Sequence, residues 1–273
     1  MKIYYKTDTF HEVKVLKMSG ILFGSPLYFV HAFIVDNLMI DTGSPIASKQ
    51  TAMIIKDDNI KTIIITHHHE DHIGANAEAN KMGLIPYAPK EGIELIKHPR
   101  RLQFHRRLVW GTPEPSNVQA LDPRVKTGHY TFEVIHAPGH SHDHKVFYES
   151  KHGWLFSGDV FLSETLKYMR DDENPIIMMD SLKMLLTLDF DIIFDSLIGP
   201  VTNGKRALSR KLEFFEEKKA QVEALYKNGM GLRAITRKIF GKEDTMTLLS
   251  GGHFSKINFT KALLGITKYP EST

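Results

Sequence analysis

The sequence predicts an α/β protein with sheet inside and helices outside, followed by a helical appendage. Strand-like and helix-like segments alternate over the first two-thirds of the 273 residues. This alternation is typical of layered α/β folds. Within the strands, polar and apolar residues also alternate, which favours mixed or antiparallel pairing over a wholly parallel sheet.

Hydrophobic periodicity sets approximate bounds for each element, since strands repeat every two residues and helices about every 3.6. Strands are expected at 13–18, 27–35, 38–40, 61–65, 85–87, 130–137, 145–149, 153–156 and 191–194. Helices are expected at 47–56, 75–82, 91–97 and 175–188. Gly83 follows the second helix as a stop signal, and Pro175 suits the first turn of the fourth.

The chain changes character at about residue 201. Apolar residues from Leu208 to Tyr226 recur at helical spacing, and shorter helices are expected at 232–240 and 256–264. We therefore predict a sandwich domain at 1–200 and a C-terminal helical extension at 201–273. The apolar face of the extension could pack on its own sandwich or form a homodimer, and periodicity leaves both open.

Composition excludes several classes of protein. Hydrophobic residues make up 42% and charged residues 25%, as in an ordinary globular protein, and the net charge of +3 is too small to argue for nucleic acid. There is no cysteine, so disulfides, thiolate metal sites and cysteine nucleophiles are excluded. The sequence has no secretory signal and no apolar stretch near the roughly 20 residues of a membrane span. We expect a cytoplasmic protein without membrane association.

The densest group of chemically active residues is the segment 66–72, which reads THHHEDH and directly follows a predicted strand. On an extended exit from the strand, His67 and His69 point the same way. Asp71 and His72 follow as a second pair. Imidazoles and carboxylates at one point bind zinc-like cations. One ion cannot comfortably use all four ligands from so short a loop, but two ions could. The alternative is a surface histidine run without a ligand role, which the preceding buried strand and the ligand-type residues downstream oppose.

Ligand-type residues recur at the ends of other predicted strands. The turn formed by Pro138 and Gly139 presents His140, and Asp159 follows an apolar strand and a glycine. Asp41 ends a further strand, where the favoured role is to orient a ligating histidine or to cap the loop.

Taken together, four motifs resemble the metallo-β-lactamase superfamily, in the branch that includes glyoxalase II. Their order and spacing agree across residues 10–200. The resemblance implies a four-layer αββα sandwich with the metal site at one edge of the two sheets. The motifs are Asp41-Thr42-Gly43, His67-x-His69-x-Asp71-His72, Pro138-Gly139-His140 and Ser157-Gly158-Asp159.

The same resemblance implies a division of the metal ligands. His67, His69 and His140 would hold one metal. Asp71 and His72 would hold the second, and Asp159 would bridge the two.

One departure from the family pattern weakens the second site. Family members usually supply a further histidine just before a late Gly-Pro step, but here Leu197 and Ile198 precede Gly199-Pro200. Neither side chain can bind a metal. Asp195, His253 or a water could substitute. We therefore expect one tight and one weak metal site.

A basic insert at about 97–118 could lie over the metal site as a lid. Between residues 97 and 107 it has five Lys or Arg and no acidic residue. Arg106 and Arg107 could grip a carboxylate or phosphate of the substrate, and Trp110 could line the pocket. His144 could contact substrate or donate a proton, but the favoured role of His142 and His144 is to satisfy hydrogen bonds of their loop. The alternative is a solvated basic surface with a packed tryptophan.

These observations predict a metal-dependent hydrolase of an ester, thioester, lactone or related acyl bond in a small molecule, which could be anionic. A metal-bound hydroxide would attack the carbonyl carbon, and Asp71 would orient it or carry a proton to the leaving group. The expected cofactor is Zn²⁺, as one or two ions, although the same ligands suit iron and manganese.

Three alternatives stay open. Phosphodiesterase or nuclease chemistry would suit the basic insert, but the small net charge disfavours nucleic acid as a partner. A mononuclear iron oxygenase of the persulfide-oxidising type would use His67, His140 and Asp159 as a two-histidine, one-carboxylate face. A sandwich that had lost its chemistry would serve as a binding module. The missing late histidine supports this last alternative, and the six retained ligand-type residues oppose it.

Overall fold

A computed structural model describes residues 2–269 of the chain, which divide into two compact units. The first unit comprises the chain up to His136, Asp143–Leu162 and Phe190–Asn203. The second comprises Ala137–His142, Ser163–Asp189 and the chain from Gly204 onward.

The larger of two sheets in the first unit is mixed, as the strand patterns predicted. Its strands are β1 (Lys2–Phe10), β2 (Val13–Leu22), β3 (Ser25–Pro26), β4 (Val30–Val35), β5 (Leu38–Ile40), β6 (Thr62–Ile64), β7 (Tyr87–Ala88) and β8 (Gln119–Ala120). They are ordered β1-β2-β4-β5-β6-β7-β8, with β3 paired to β2. The pairs from β5 to β8 are parallel, and the others are antiparallel.

The smaller sheet of this unit contains six strands. They are β9 (Arg124–Lys126), β10 (Thr131–His136), β11 (Lys145–Glu149), β12 (Trp154–Gly158), β14 (Ile192–Asp195) and β15 (Gly199–Val201), whereas β13 (Met169–Arg170) belongs to the second unit. The order is β15-β14-β12-β11-β10-β9. Only the pair β12–β14 is parallel among the pairs of these six strands.

Helices cover the outer face of the larger sheet. They are α1 (Ser48–Asp57), α2 (Asn76–Lys81), α3 (Ile93–Lys97) and α4 (Phe104–Trp110), with short 3-10 turns at Pro45–Ala47 and Lys90–Gly92. Strand β4 shows how one strand serves two cores. Ala32 and Ile34 pack into a core shared with Ile55 of α1, while Phe33 and Val35 face the smaller sheet. The first unit therefore has a helix–sheet–sheet order of layers.

An aromatic cluster joins the two sheets. Phe156 stacks on Phe194 at 4.6 Å between ring centroids, and Phe33 meets both rings edge-on at 5.6 and 5.5 Å. Burial of each such side chain stabilises the fold by about 1.5–3 kcal/mol. This packing fixes β12, whose end directly precedes the predicted metal ligand Asp159.

The second unit is mainly helical. It contains α5 (Pro175–Leu185), α6 (Gly204–Lys227), α7 (Leu232–Ile239), α8 (Thr245–Leu249) and α9 (Lys256–Leu263), together with β13 paired to β16 (Phe254–Ser255). Phe215 of α6 and Phe259 of α9 are fully buried and meet edge-on at 5.8 Å. Helix α5 groups with the C-terminal helices although it precedes residue 200. The predicted domain boundary between residues 200 and 201 stays a prediction. No helix within residues 2–269 is both long and apolar enough to cross a membrane.

Some elements differ from the sequence expectations. Strand β4 begins at Val30, not at residue 27, and helix α4 lies inside the insert for which no helix was predicted. Strand β1 was not predicted because most of its residues are polar or only partly buried. It is an edge strand whose nine residues all pair with β2, so its stability comes from non-local pairing.

Candidate metal centre

The segment 66–72, here called the ligand loop, leaves β6 and presents a first group of potential ligands. Nε2 of His67 and Nδ1 of His69 lie 2.7 Å apart. Each offers a nitrogen within 4.8 Å of a carboxylate oxygen of Asp159, which follows β12. All three residues are at least 94% buried. Two strand ends of the first unit thus bring imidazoles and a carboxylate to one point.

A second group of ligand-type atoms shares Asp159. Nε2 of His72 lies 3.2 Å from Oδ1 of Asp159 and 3.9 Å from Oδ2 of Asp71. Atoms of all three residues lie within 4.8 Å of one another, and all three are buried. Asp159 therefore belongs to both groups, which is the position that a bridging ligand would take.

Asp41 holds both ends of the ligand loop. Its Oδ2 lies 2.7 Å from Nδ1 of His72, and its Oδ1 accepts the backbone N–H of Thr66 at 2.7 Å. The Thr66 hydroxyl also donates to Oδ2 at 2.9 Å. Asp41 has a left-handed backbone with φ of 58°, which Asp tolerates better than most residues. This is the orienting role expected for Asp41.

The chemistry of His72 tests whether a metal fits. Its Nδ1 is engaged by Asp41, whereas its buried Nε2 makes no hydrogen bond within residues 2–269 and faces two carboxylates. A cation at this point would satisfy the nitrogen and neutralise both acids. Buried nitrogen and oxygen donors without thiolate are ligands that zinc, iron and manganese accept. The residues present therefore fit a divalent metal.

The pKa values of Asp71 and His72 reflect the buried charges that surround them. Burial raises the pKa of Asp71 to about 6, with further raising by Asp159 and opposition from His72. Burial alone would lower the pKa of His72, but Asp41, Asp159 and Asp71 together raise it well above its ordinary value. Several acids around one imidazole call for positive charge, which a metal ion would supply.

The loop after β12 is shaped to present Asp159. Its backbone N–H donates to Nε2 of His144 at 3.0 Å, and Ser196 donates its hydroxyl to the Asp159 carboxylate. Gly158 has φ of 49°, and a Cβ there would lie 2.7 Å from Nε2 of His144. His144 is fully buried, and because its Nε2 accepts this backbone N–H, it holds the loop; a substrate contact of His144 stays a prediction.

Asp195, predicted as a replacement ligand, has other partners. Its buried carboxylate accepts the backbone N–H groups of Leu162, Leu197 and Ile198 at 2.8–2.9 Å, and the Ser157 hydroxyl at 3.3 Å. These bonds give it a structural role in the loop that lacks the late histidine. The two ligand groups that contain Asp159 do not include Asp195.

His140 lies in the second unit, on the turn after β10. It is 3% exposed, and its Nδ1 lies 2.8 Å from Oε1 of Glu173. Although burial opposes ionisation, Arg170 and His140 hold the pKa of Glu173 at about 2. A carboxylate behind one ring nitrogen is the usual support of a metal-ligating histidine.

His253, the other predicted replacement ligand, also lies in the second unit. Its Nδ1 is 3.0 Å from Oδ1 of Asp171, and with Asp171 and Asp172 it forms a separate group of ligand-type atoms. Lys268 lies 2.7 Å from Asp171, and Arg170 lies 3.1 Å from Asp172. Both carboxylates therefore already form ion pairs with cationic side chains. That His253 replaces the missing ligand of the second metal stays a prediction.

In the basic insert, Arg106 forms a buried ion pair with Glu70. Its guanidinium is buried and donates to both carboxylate oxygens of Glu70, from Nε and from an Nη, each at 2.7 Å. Arg106 is thus paired with Glu70, whereas Arg107 is exposed, and substrate binding by either arginine stays a prediction. Trp110 packs partly into the core of the larger sheet and stacks on Tyr28 at 6.1 Å, which matches the packed alternative.

Several supporting residues were not found from the sequence. Glu70 lies inside the ligand motif, but its partner Arg106 is 36 residues away. Asp143 accepts the backbone N–H of His68 at 2.9 Å and lies 2.8 Å from Nδ1 of that residue. Glu173 supports His140 from 33 residues away. The sequence shows that acidic residues lie near the histidine motifs. It does not show which acidic residue contacts which histidine, because that depends on the fold.

Buried histidine and aspartate side chains that could hold a metal ion gather at the strand ends of a two-sheet sandwich of the α/β class. The family model of the metallo-beta-lactamase superfamily matches residues 26–194. The chain belongs to this superfamily, and the predicted α/β fold class and family are confirmed.

Curated relatives of this chain include hydroxyacylglutathione hydrolases of several bacteria. That of Bdellovibrio bacteriovorus is 32% identical over 103 residues, covering 37% of this chain and 35% of the relative. That of Aeromonas hydrophila is 30% identical over 158 residues, covering 57% and 54%. The chain thus spans about a third to a half of the length of these relatives. A probable metallo-hydrolase of Bacillus subtilis is 26% identical over 168 residues, covering 59% of this chain and 71% of the relative.

Solved structures show the same fold. A metallo-beta-lactamase from Pontibacter korlensis aligns with a TM-score of 0.60 at 18% identity, covering 77% of this chain and 98% of the other. A metallo-beta-lactamase family protein from Thermus thermophilus aligns with a TM-score of 0.59 at 18% identity, covering 96% and 91%.

Proposed function

We propose that this protein is a metal-dependent hydrolase of small molecules that cleaves an acyl bond, a thioester first among them. The observation that carries the proposal is the pair of buried ligand groups in the first unit, His67-His69-Asp159 and Asp71-His72-Asp159, which share one carboxylate. Two such groups a few ångströms apart suit hydrolysis at a two-metal site.

The proposed ligands follow from these groups and from the sequence motifs. His67, His69 and His140 hold the first metal, which we propose to be zinc. Support for His140 comes from its place four residues after β10 and from Glu173 behind its Nδ1. Asp71 and His72 hold the second metal, and Asp159 is common to both.

The chain's own residues hold and orient the reacting groups. A bound divalent ion supplies Lewis acidity and a water that is nucleophilic at neutral pH. Asp71 orients the attacking water and passes a proton to the leaving group, because its carboxylate lies beside His72 and Asp159 in the second group. Asp41 keeps His72 in one orientation, and His144 keeps the Asp159 loop in place.

The proposed substrate class is a thioester of an anionic carrier. Several curated relatives are named hydroxyacylglutathione hydrolases. The exposed Arg107 of the basic insert supplies positive charge for a substrate carboxylate. We further propose a cytoplasmic location and retain a homodimer as an expectation of the amphipathic C-terminal helices.

The test uses the full chain loaded with zinc and a panel of substrates: a hydroxyacylglutathione thioester, a lactone and a phosphodiester. We expect thioester or lactone hydrolysis that a chelator removes and zinc restores. His67→Ala and His140→Ala should each lose at least a hundredfold in activity, whereas His98→Ala, at an exposed site, should not change it.

Each other result has a defined meaning. Selective phosphodiester cleavage with salt-sensitive binding of RNA would favour the nuclease alternative. Iron in the purified protein together with oxygen consumption would favour the oxygenase. A folded protein that refuses added zinc would sink the proposal and favour a binding module.

A further inference from the structure

The ligand loop is held by a buried ion pair between its Glu70 and Arg106 of α4. No proposed catalytic step uses this pair. Between the proposed ligands His69 and Asp71 lies Glu70, whose side chain is 2% exposed. Both of its carboxylate oxygens accept hydrogen bonds from Arg106, at 2.7 Å each. Arg106 is itself 7% exposed. The planar guanidinium fixes both oxygens at once, so the pair restrains orientation as well as distance.

The helix that carries Arg106 is anchored on a second loop at the site. The carbonyl of Trp110, the last residue of α4, accepts the Ser44 hydroxyl at 2.6 Å. Gly111 follows with φ of 91°, and a Cβ there would lie 3.0 Å from Ile46. The segment around Ser44 directly follows Asp41. Helix α4 therefore spans from the loop after β5 to the ligand loop as a fixed brace.

From these contacts we infer that Arg106 is a positioning residue: through Glu70 it holds His69 and Asp71 in the orientation that binds metal. The inference rests on the proposed function, because it assigns the brace to the same metal centre. Arg106 would then affect metal affinity and not substrate binding, which was the role expected from the sequence. Asp143 supplies a second restraint behind the loop through His68.

A general property of metal sites sets the expected size of the effect. Groups that orient the ligands usually change metal affinity by 10–100-fold when they are removed. Loss of Arg106 also leaves Glu70 as a buried carboxylate without its bidentate partner, which favours movement of the loop toward solvent. The movement would displace His69 and Asp71 on either side of Glu70.

The experiment measures zinc affinity of the full chain by competition with a chromophoric chelator and records the visible spectrum of the cobalt-substituted protein. Arg106→Gln should lower zinc affinity 10–100-fold and alter the cobalt spectrum. Arg106→Lys should recover part of the affinity, because lysine keeps the positive charge but cannot donate to both Glu70 oxygens in the planar, two-bond geometry of arginine. Arg101→Gln is the matched control, since it removes the same charge from an exposed position of the insert, and it should stay within twofold of wild type.

Unchanged zinc affinity and an unchanged cobalt spectrum in folded Arg106→Gln would overturn the inference, even if its melting temperature falls. If this variant does not fold, Glu70→Gln with Arg106→Gln leaves no uncompensated buried charge. It should show the same loss of affinity, and wild-type affinity in it would equally overturn the inference. Failure of the proposed function is distinguishable, because wild-type protein would then bind no zinc or would bind it without hydrolysing any substrate.

Discussion

Oδ2 of Asp41 lies 2.7 Å from Nδ1 of His72, and Oδ1 of the same carboxylate accepts the backbone N–H of Thr66 at 2.7 Å. One buried side chain therefore ties the first and last residues of the ligand loop together. The contact also leaves Nε2 of His72 facing Asp71 and Asp159. Orientation of the second proposed metal site thus depends on a residue that binds no metal itself.

Asp41→Asn should weaken zinc binding at the second site 10–100-fold, since an amide holds the imidazole less strongly than a carboxylate. Asparagine tolerates the left-handed backbone, so the loop should keep its path. Zinc titration by competition measures the effect. Asp36→Asn is the matched control, because Asp36 has φ of 54° and lies in a surface hairpin. Equal affinities in wild type and Asp41→Asn would contradict this role.

The two metal sites should differ in affinity. Leu197 and Ile198 occupy the stretch where the family's late histidine is expected, and the Asp195 carboxylate is occupied by backbone amides. Elemental analysis after dialysis should find about one tightly held ion per chain, with a second added only in excess metal. Ile198 is 47% exposed, so Ile198→His is tolerable and should tighten the second site. Two equally tight ions in the wild type would refute the expectation.

Arg107→Ala should raise KM several-fold for an anionic substrate while kcat changes little. The exposed guanidinium would contribute to binding of the ground state and transition state alike. Steady-state kinetics with an anionic and a neutral substrate of the same reactive bond separate charge from shape. KM for the neutral substrate serves as the control, and an unchanged KM for the anionic one would discard Arg107 as a substrate contact.

Acid should destabilise the fold through His31. Burial lowers its pKa to about 4, only partly opposed by the Ser196 carbonyl, and Lys17 lowers it further. The unfolded chain binds the proton near pH 6.5, so it holds more protons than the native state between pH 6.5 and 4. Stability is therefore full above about pH 6.5 and falls as pH drops toward 4.

His31→Gln removes this proton linkage, so the comparison isolates the contribution of His31. Denaturant unfolding from pH 7 to 4 should show that the wild type loses on the order of 1–3 kcal/mol more than the variant. Parallel losses in the two proteins would show that other groups dominate the acid sensitivity.

Gly158→Ala should impair metal binding. The new Cβ would lie 2.7 Å from Nε2 of His144 and 3.0 Å from Cβ of Thr66, at a backbone φ of 49°. Relief of the clash requires movement of the loop that presents Asp159, and both metals depend on that carboxylate. Zinc affinity and thermal unfolding report the change. Gly128→Ala is a control, since no heavy atom lies within 4 Å of its Cβ position. Wild-type zinc affinity in Gly158→Ala would show that the loop is adaptable.

Local chemistry made much of the fold predictable. The strand at 61–65 and the helix at 47–56 were found within one residue at each end, because their apolar residues are buried in the cores on the two faces of the larger sheet. Strand β1 and helix α4 were missed. The first is exposed along an edge, and the second has an exposed Phe104 and a buried Arg106, which reverses the pattern expected of an amphipathic helix.

The sequence by itself determined the α/β class, the superfamily and the concentration of ligand-type residues after β6, because each is written in short-range patterns. Only the tertiary structure decided that Arg106 meets Glu70, that Asp41 meets His72 and that His144 accepts the Asp159 amide. The physical reason is that a buried charge or imidazole must find a partner wherever the packed chain brings one. Sequence patterns identify groups that need partners, but packing chooses among them.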